Sequence, residues 1–333
     1  MGSGLLPHEY THSWNGKFRR PADLWTPDFN SMPEKDDLLW VYEGLTQYYG
    51  DVLTARSGLW SKDQYREALA LTAANMDHTP GRSWRPLQDT ADEASVLYYT
   101  PGDWANWRRR TDFYAEGELL WLDVDTKIRE LSHGRHTLND FAREFFGINN
   151  GSYVTVTYDF DDIVAALNKV QPYDWTKFLR NILDTRQYHA PLAGITRGGY
   201  QLVYTDQPSS YVKASEKVRK QLYAMFSIGL LVSTDDKDAG SIKDVLWNGP
   251  AFKAGLAPGM KIIAVNGQAF TPEVFREAIR EAKGSTTPIQ LLVKDLTYYK
   301  TYAVDYYGGL QYPHLERVKS QPDYLDQVIA PLK

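Results

Sequence analysis

The chain has 333 residues, a length that usually makes two or three domains, and its 43% hydrophobic and 14% aromatic content can fill sizeable cores. A formal net charge of −5 argues against a nucleic-acid partner, which calls for a basic face, and no apolar run nears the roughly 18 residues of a membrane-spanning helix. There is no cysteine, so disulfides and thiolate metal sites are excluded, and any metal must rest on histidine and carboxylate ligands.

Met1-Gly2-Ser3-Gly4 reads as an appended leader. A helix follows at once, leaving no room for a signal peptide. The expectation is a C-terminal fragment of a longer protein, starting at its active-site helix. Pro7 suits the first turn of that helix, and Asn15-Gly16 supplies its stop. Ser31-Met32-Pro33-Glu34 opens a second helix running towards Gly58, with an apolar stripe at Leu38, Val41, Tyr42, Leu45, Tyr49 and Val52. Glu43 lies on the flank of that stripe, where a partly buried carboxylate is costly without a partner.

Further along, Ser61-x-x-Gln64 and Thr90-x-x-Glu93 fit the capping-box pattern. A long helix is expected over residues 104–131, stopping near Gly134, and Thr137 with Asp140 opens another that ends at Gly147. A strand at residues 153–158 and helices at 161–169 and 175–183 follow, with residues 205–210 as the best linker. From Ser227 the pattern turns to short strands, at residues 228–233, 242–247, 261–265, 289–294 and 301–305. Asn266-Gly267 marks a tight turn among them, and one amphipathic helix interrupts at residues 272–283. Together these make a β-rich module of about 80 residues, within the normal domain range.

The chemistry is concentrated at the start. His8-Glu9-Tyr10-Thr11-His12 on a helix sets two imidazoles one turn apart, a spacing that suits one Zn²⁺. Glu9 between them can take a proton from a metal-activated water and deliver it to a leaving amine. A third ligand is needed, and Glu43 on the following helix supplies a carboxylate. Thr46, one turn after Glu43, either orients that carboxylate or simply packs the helix. His133 and His136 flank an interhelix loop, and His78, His189 and His314 carry no ligand spacing. The run Trp107-Arg108-Arg109-Arg110 reads first as a solvated helix face, and second as a clamp for a substrate carboxylate.

The run His8-Glu9-Tyr10-Thr11-His12-Ser13-Trp14-Asn15-Gly16-Lys17 resembles the glycyl aminopeptidase family of gluzincin zinc metallopeptidases. Arg19-Arg20-Pro21, Glu43-Gly44-Leu45-Thr46-Gln47-Tyr48-Tyr49 and Phe113-Tyr114-Ala115-Glu116-Gly117-Glu118-Leu119-Leu120 extend the likeness, which covers nearly the whole chain. The resemblance implies a multidomain α+β fold. A mainly α-helical, thermolysin-like catalytic lobe would span residues 5–210, a PDZ-like domain 225–306, and a tail over 307–333 would pack on a domain surface. It also implies His8, His12 and Glu43 as ligands of one Zn²⁺, and Glu9 as general base. Tyr114 would be a second catalytic group, donating to the oxyanion of the transition state. Relatives often have Lys where this chain has Glu116, so an ordinary core tyrosine is the other reading of Tyr114.

The implied substrate is a peptide that loses a small N-terminal residue, glycine or alanine. Gly249-Pro250-Ala251-Phe252-Lys253-Ala254-Gly255-Leu256-Ala257-Pro258-Gly259-Met260 resembles a PDZ domain, and Lys261 to Gly267 continues the match. That likeness implies a groove between residues 228–233 and 272–283, where a C-terminal peptide would add as a strand, with Phe226-Ser227-Ile228-Gly229 holding its carboxylate. A closed module serving only as a structural element is the other reading. A gluzincin cleft also draws on an upstream lobe, so the expectation is that this chain binds zinc but turns over poorly. Two other functions remain open: a PDZ-centred peptide-binding protein with a silent catalytic lobe, and a zinc endopeptidase. Location is open too, leaning to the bacterial periplasm or secretion.

Overall fold

Residues 4–28, 30–100 and 102–332 are described by a computed structural model; Met1–Ser3 of the expected leader lie outside them. Helix α1 (Leu5–Thr11) is followed by strand β1 (Arg19–Pro21) and by two helices in tandem, α2 (Leu39–Tyr42) and α3 (Gly44–Arg56), with Glu43 as the joint. The helix expected from residue 31 therefore starts later. The backbone before it is engaged elsewhere, with Lys35 N–H donating to Asp23 O at 3.1 Å and the Asp36 carboxylate accepting from Ser95 N–H at 3.0 Å.

Helix α4 (Lys62–Asp77) begins at Ser61 with both reciprocal bonds of its capping box present. Thr90 does not cap. It lies inside α5 (Leu87–Asp92), donating to Leu87 O at 2.7 Å, and α6 (Ala94–Leu97) follows. The long helix expected over residues 104–131 is two helices, α7 (Ala105–Arg108) and α8 (Asp112–Ser132). They break at Arg109 (φ 54°), whose buried guanidinium turns inward to Asp112 and Glu116. Helix α9 (Leu138–Phe146) starts at the Thr137–Asp140 capping box, and strand β2 (Val156–Tyr158) pairs in parallel with β1. Helices α10 (Phe160–Val170), α11 (Trp175–Asp184) and α12 (Ala193–Arg197) complete the helical part.

Its core gathers Trp40, Leu45, Tyr48, Trp121, Phe141 and Phe145. Helix α3 crosses α8 at bare backbone: a Cβ on Gly117 would stand 2.7 Å from Gly44 Cα. On its other side α3 meets α1, where a Cβ on Gly50 would stand 3.1 Å from His8 Cβ.

The second part runs through β3 (Tyr200–Thr205), α13 (Ser210–Arg219), β4 (Gln221–Ala224), β5 (Leu230–Ser233), β6 (Ile242–Val245) and α14 (Pro250–Lys253). It continues with β7 (Lys261–Val265), β8 (Gln268–Ala269), α15 (Pro272–Glu281), β9 (Ile289–Asp295), β10 (Tyr298–Val304), β11 (Tyr312–Arg317) and α16 (Tyr324–Val328). Strands β4-β5-β6 make one antiparallel sheet and β10-β9-β7-β8 another, around Val232, Phe275, Ile279, Leu291 and Val293. Asn266 and Gly267 take φ of 48° and 83° in the hairpin turn between β7 and β8, as the dipeptide demands.

Strand β4 lies outside the elements expected from the sequence, and it changes the reading of the groove. It pairs with β5 from Gln221↔Ser233 to Ala224↔Leu230, while β6 takes the other edge. The N–H groups of Ser227 and Gly229 both donate to Ala224 O, at 3.2 and 2.9 Å. The edge and loop expected to receive a C-terminal peptide are thus occupied by the chain's own backbone, because Leu222 and Ala224 are better buried there than exposed. The segment after residue 307 returns to the helical part: β11 pairs with β3, and α16 places Leu325, Val328 and Ile329 in the first core. Helix α4 serves both cores, Tyr65 and Leu69 in the first and Leu71 and Ala74 in the second.

Replacing Gly117 by Val drives two methyl groups into the backbone of α3. Urea unfolding is expected to show a loss of about 1–3 kcal/mol, the usual cost of overpacking. An unchanged midpoint would mean that α3 and α8 do not meet at these glycines.

Candidate active site

Residues four apart share a helix face, so α1 presents His8 and His12 together towards the joint between α2 and α3. Their Nε2 atoms stand 3.2 Å apart, and Glu43 Oε2 lies 3.4 Å from the first and 3.3 Å from the second. His12 Nδ1 is 2.9 Å from Asn15 O. A carbonyl only accepts, so Nδ1 carries the proton and Nε2 of the neutral ring presents a lone pair. Glu43 Oε2 is shielded from solvent, with the two imidazole nitrogens beside it. Lone pairs crowded in this way repel unless a cation stands among them. Two imidazoles and a carboxylate form a donor set that can hold a divalent ion with a position left open, and among the described residues no other group of three His, Asp or Glu is so placed.

Without metal, a proton takes the cation's part. Burial opposes charge on both partners, but hydrogen bonds from His12 and His8 outweigh it and hold Glu43 at about 2. His12 is raised for the matching reason, its burial overcome by the bond to Glu43 and the Asn15 carbonyl.

Asn15, expected only as a helix stop, proves to be the clamp of the site. Fully buried, it donates through Nδ2 to Val41 O at 2.8 Å and to Thr46 Oγ1 at 3.0 Å, and accepts from the Tyr158 hydroxyl at 3.3 Å. Thr46 donates to Tyr42 O at 2.7 Å, so it packs its helix and receives Asn15; no hydrogen bond joins it to the Glu43 carboxylate. Main-chain position, fixed through Asn15, sets where Glu43 stands.

Glu9 projects from the exposed side of α1 into a cavity of about 540 Å³ that His8, Asp51 and Tyr114 also line. Tyr114, in the first turn of α8, brings its ring to 6.1 Å from that of His8. Burial, then the Glu43 charge and a hydrogen bond to it, push the phenol well above its ordinary range, so it stays a donor at any physiological pH. Glu116 points the other way. It is buried between Arg82 and Arg109, and burial with the like charge of Arg109 brings Arg82 down to about 9. Arg109 is therefore not part of a solvated face, as the arginine run suggested, but half of an internal ion cluster.

A second acidic pair had no signature in the sequence. Asp51 of α3 and Glu118 of α8 bury two carboxyls in contact beneath the cavity. Burial and the neighbouring acid raise Glu118 well above the carboxylate range, so it keeps its proton and donates to Asp51, which burial raises to about 7. Only the folded crossing of α3 over α8 brings them together.

A profile of the M61 glycyl aminopeptidase family matches residues 2–120, the stretch that holds His8, Glu9, His12, Glu43 and Tyr114. Over 99% of its length the chain is similar to the crystal structure of an aminopeptidase N family protein from Idiomarina loihiensis, with a TM-score of 0.71 and 21% sequence identity. That likeness establishes the fold. The chain spans 55% of the length of that protein. No curated protein sequence matches.

The ion pair predicts a pH signature in the metal-free chain. Glu43 is held below its ordinary 4.5, so its contribution is complete above about 4.5 and is lost as pH falls towards about 2. His12 is raised above 6.5, so its contribution is complete below that value and is lost as pH rises through the raised one. The stability difference between the wild type and Glu43→Gln, measured by urea unfolding in chelator, should be widest between about 4.5 and 6.5. A difference that stays flat from pH 3 to 9 would refute the pairing.

Proposed function

We propose that this chain carries the metal centre of a zinc-dependent aminopeptidase, one that releases small N-terminal residues such as glycine or alanine. The carrying observation is the convergence of His8, His12 and Glu43 donor atoms beside a cavity that Glu9 and Tyr114 also line. The family match over residues 2–120 supports the choice of substrate.

His8, His12 and Glu43 would hold the ion. When bound, Zn²⁺ supplies a Lewis acid that lowers the pKa of water towards roughly 7 and polarises a carbonyl. Glu9 faces the cavity from the same helix turn, placed to take the proton of an attacking water and return it to the leaving amine. Tyr114, held protonated, donates to the substrate oxygen that gains charge only in the transition state. Asn15 O fixes the tautomer of the neutral His12 ring, so that its Nε2 carries the lone pair a metal would take.

In this reading the β-rich unit, PDZ-like in its sequence pattern, is a brace. Against a peptide-binding protein with a silent catalytic lobe stand the intact Glu9 and the paired edges of β5. An endopeptidase would use the same residues and differ in accepting blocked N-termini.

Elemental analysis of chain purified without chelators should find one zinc per chain, and His12→Ala should lose it. Glu9→Gln should keep the zinc while hydrolysis of a glycine anilide falls by roughly a hundredfold or more. Unchanged turnover in Glu9→Gln would sink its role as base, and cleavage of N-acetylated peptides as fast as free ones would favour the endopeptidase.

A further inference from the structure

The cavity beside His8 and Glu9 is also lined by residues from outside the two helices that carry His8, His12 and Glu43. Trp60 and Thr72 form part of that lining, and Tyr211 and Arg219 reach it from α13, the helix leading into the β-rich unit. Helix α13 is pinned in place: the Ser210 hydroxyl and Tyr211 N–H donate to the Glu67 carboxylate at 2.6 and 2.9 Å, and Tyr211 meets Trp60 edge to face at 5.7 Å.

Arg219 sits at the other end of α13, in its last turn. Two charged neighbours, Lys220 and Glu216, are engaged elsewhere. Lys220 pairs with Asp235 at 2.7 Å, and Glu216 takes Arg276 at 2.7 Å and Tyr223 N–H at 2.9 Å. No hydrogen bond or ion pair engages Arg219 among the described residues, and its side chain is open to solvent. The acid of the cavity floor does not serve it, since Asp51 is taken up by Gln47 at 3.4 Å and by Glu118. A free guanidinium in a cleft lined by the metal-binding His8 is a ready donor fork for a carboxylate, whose two oxygens it matches in plane. The cavity, at about 540 Å³, is of the size that takes small molecules and short peptides.

We propose that this cavity receives the leaving-group side of a short peptide and that Arg219 binds a carboxylate there, either the peptide's C-terminus or an acidic side chain. The proposal rests on the peptidase reading for the position of the scissile bond. Glu9 fixes the direction: it returns the proton to the leaving amine and lines this cavity, so that amine and the substrate residues beyond it lie on this side. A substrate of two or three residues would then be held at one end by the metal centre and at the other by Arg219. The enzyme would prefer short peptides with a free terminus, or an acid just beyond the cleaved bond.

Binding separates the possibilities without turnover. The zinc-loaded Glu9→Gln chain is titrated calorimetrically with Gly-Ala, with Gly-Ala amide and with Gly-Glu amide, and again with Arg219→Ala added. Gly-Ala should bind roughly ten- to a hundredfold tighter than its amide, as a charge-assisted hydrogen bond predicts, and Arg219→Ala should bring the two within about twofold. Recovery of tight binding by Gly-Glu amide assigns the carboxylate to the side chain; failure to recover assigns it to the terminus. Equal affinity for acid and amide with Arg219 present overturns the proposal, as does a difference that survives Arg219→Ala. So does the absence of peptide binding altogether. None of these outcomes touches the peptidase reading, which zinc content and Glu9-dependent cleavage of a glycine anilide decide, since that substrate carries no carboxylate. Conversely, loss of zinc and turnover with Arg219-dependent binding intact would remove the peptidase reading and leave the carboxylate site standing.

Discussion

Helix α3 touches α8 where Gly44 meets Gly117, and it touches α1 where Gly50 lies under His8. These two contacts set the spacing of His8, His12 and Glu43 in the candidate site. Glu43 is the residue immediately before Gly44, so backbone contact with α8 carries its carboxylate close to Tyr114, three residues before Gly117. On the other side, Gly50 lets His8 settle close enough for its Nε2 to reach Glu43 Oε2 at 3.4 Å. A larger residue at any of the three positions would part the helices by the thickness of a methyl group, which is comparable to the tolerance of a coordination shell.

Helix α8 also buries a row of acidic side chains. Glu116, Glu118, Asp123 and Asp125 are all buried on this one helix. Each has its own partner: the Arg82–Arg109 pair, Asp51, Arg197, and Arg129 with the Tyr48 hydroxyl. Buried ion pairs give little net stability over apolar packing, but breaking one is expensive. Together these partners favour one placement of α8, which carries Tyr114 in its first turn. Arg109, at the break before α8, fixes both the turn and, through Glu116, the rotation of the helix.

How much of this the sequence discloses depends on the range of the interaction. The convergence of His8, His12 and Glu43 is legible because a helix repeats every 3.6 residues and a metal-binding pattern needs donor atoms at fixed spacing. The Ser61 and Thr137 capping boxes and the Asn266-Gly267 turn are legible for the same local reason. Thr90 fits the capping pattern and fails, because Leu87 O takes its hydroxyl first. The break at Arg109 is hidden, since it depends on Glu116 and Arg82 waiting in the core. Asn15 reads as a helix stop, and only the return of residues 41–46 against it reveals a clamp. Strand β4 and the β3–β11 pair escape notice because their partners lie across turns or a hundred residues away, where no periodicity records the pairing.

The same long-range contacts tie the β-rich unit to the chemistry. Asn106 donates to Val245 O and accepts from Trp247 N–H, both at 2.9 Å, and Trp107 stacks on Trp247 at 4.7 Å. These bonds anchor α7, which leads through Arg109 into α8 and so to Tyr114. Helix α13 also borders the cavity as it leaves the helical lobe, carrying Tyr211 and Arg219. The β-rich unit therefore reaches the cavity at two places, one through Tyr114 and one through Arg219. A unit that kept β5 open for peptide would have to release β4, which follows α13 directly, and would loosen the wall that α13 builds. Closing β5 with the chain's own strand removes a peptide-binding edge and, by the same pairing, fixes the position of Arg219.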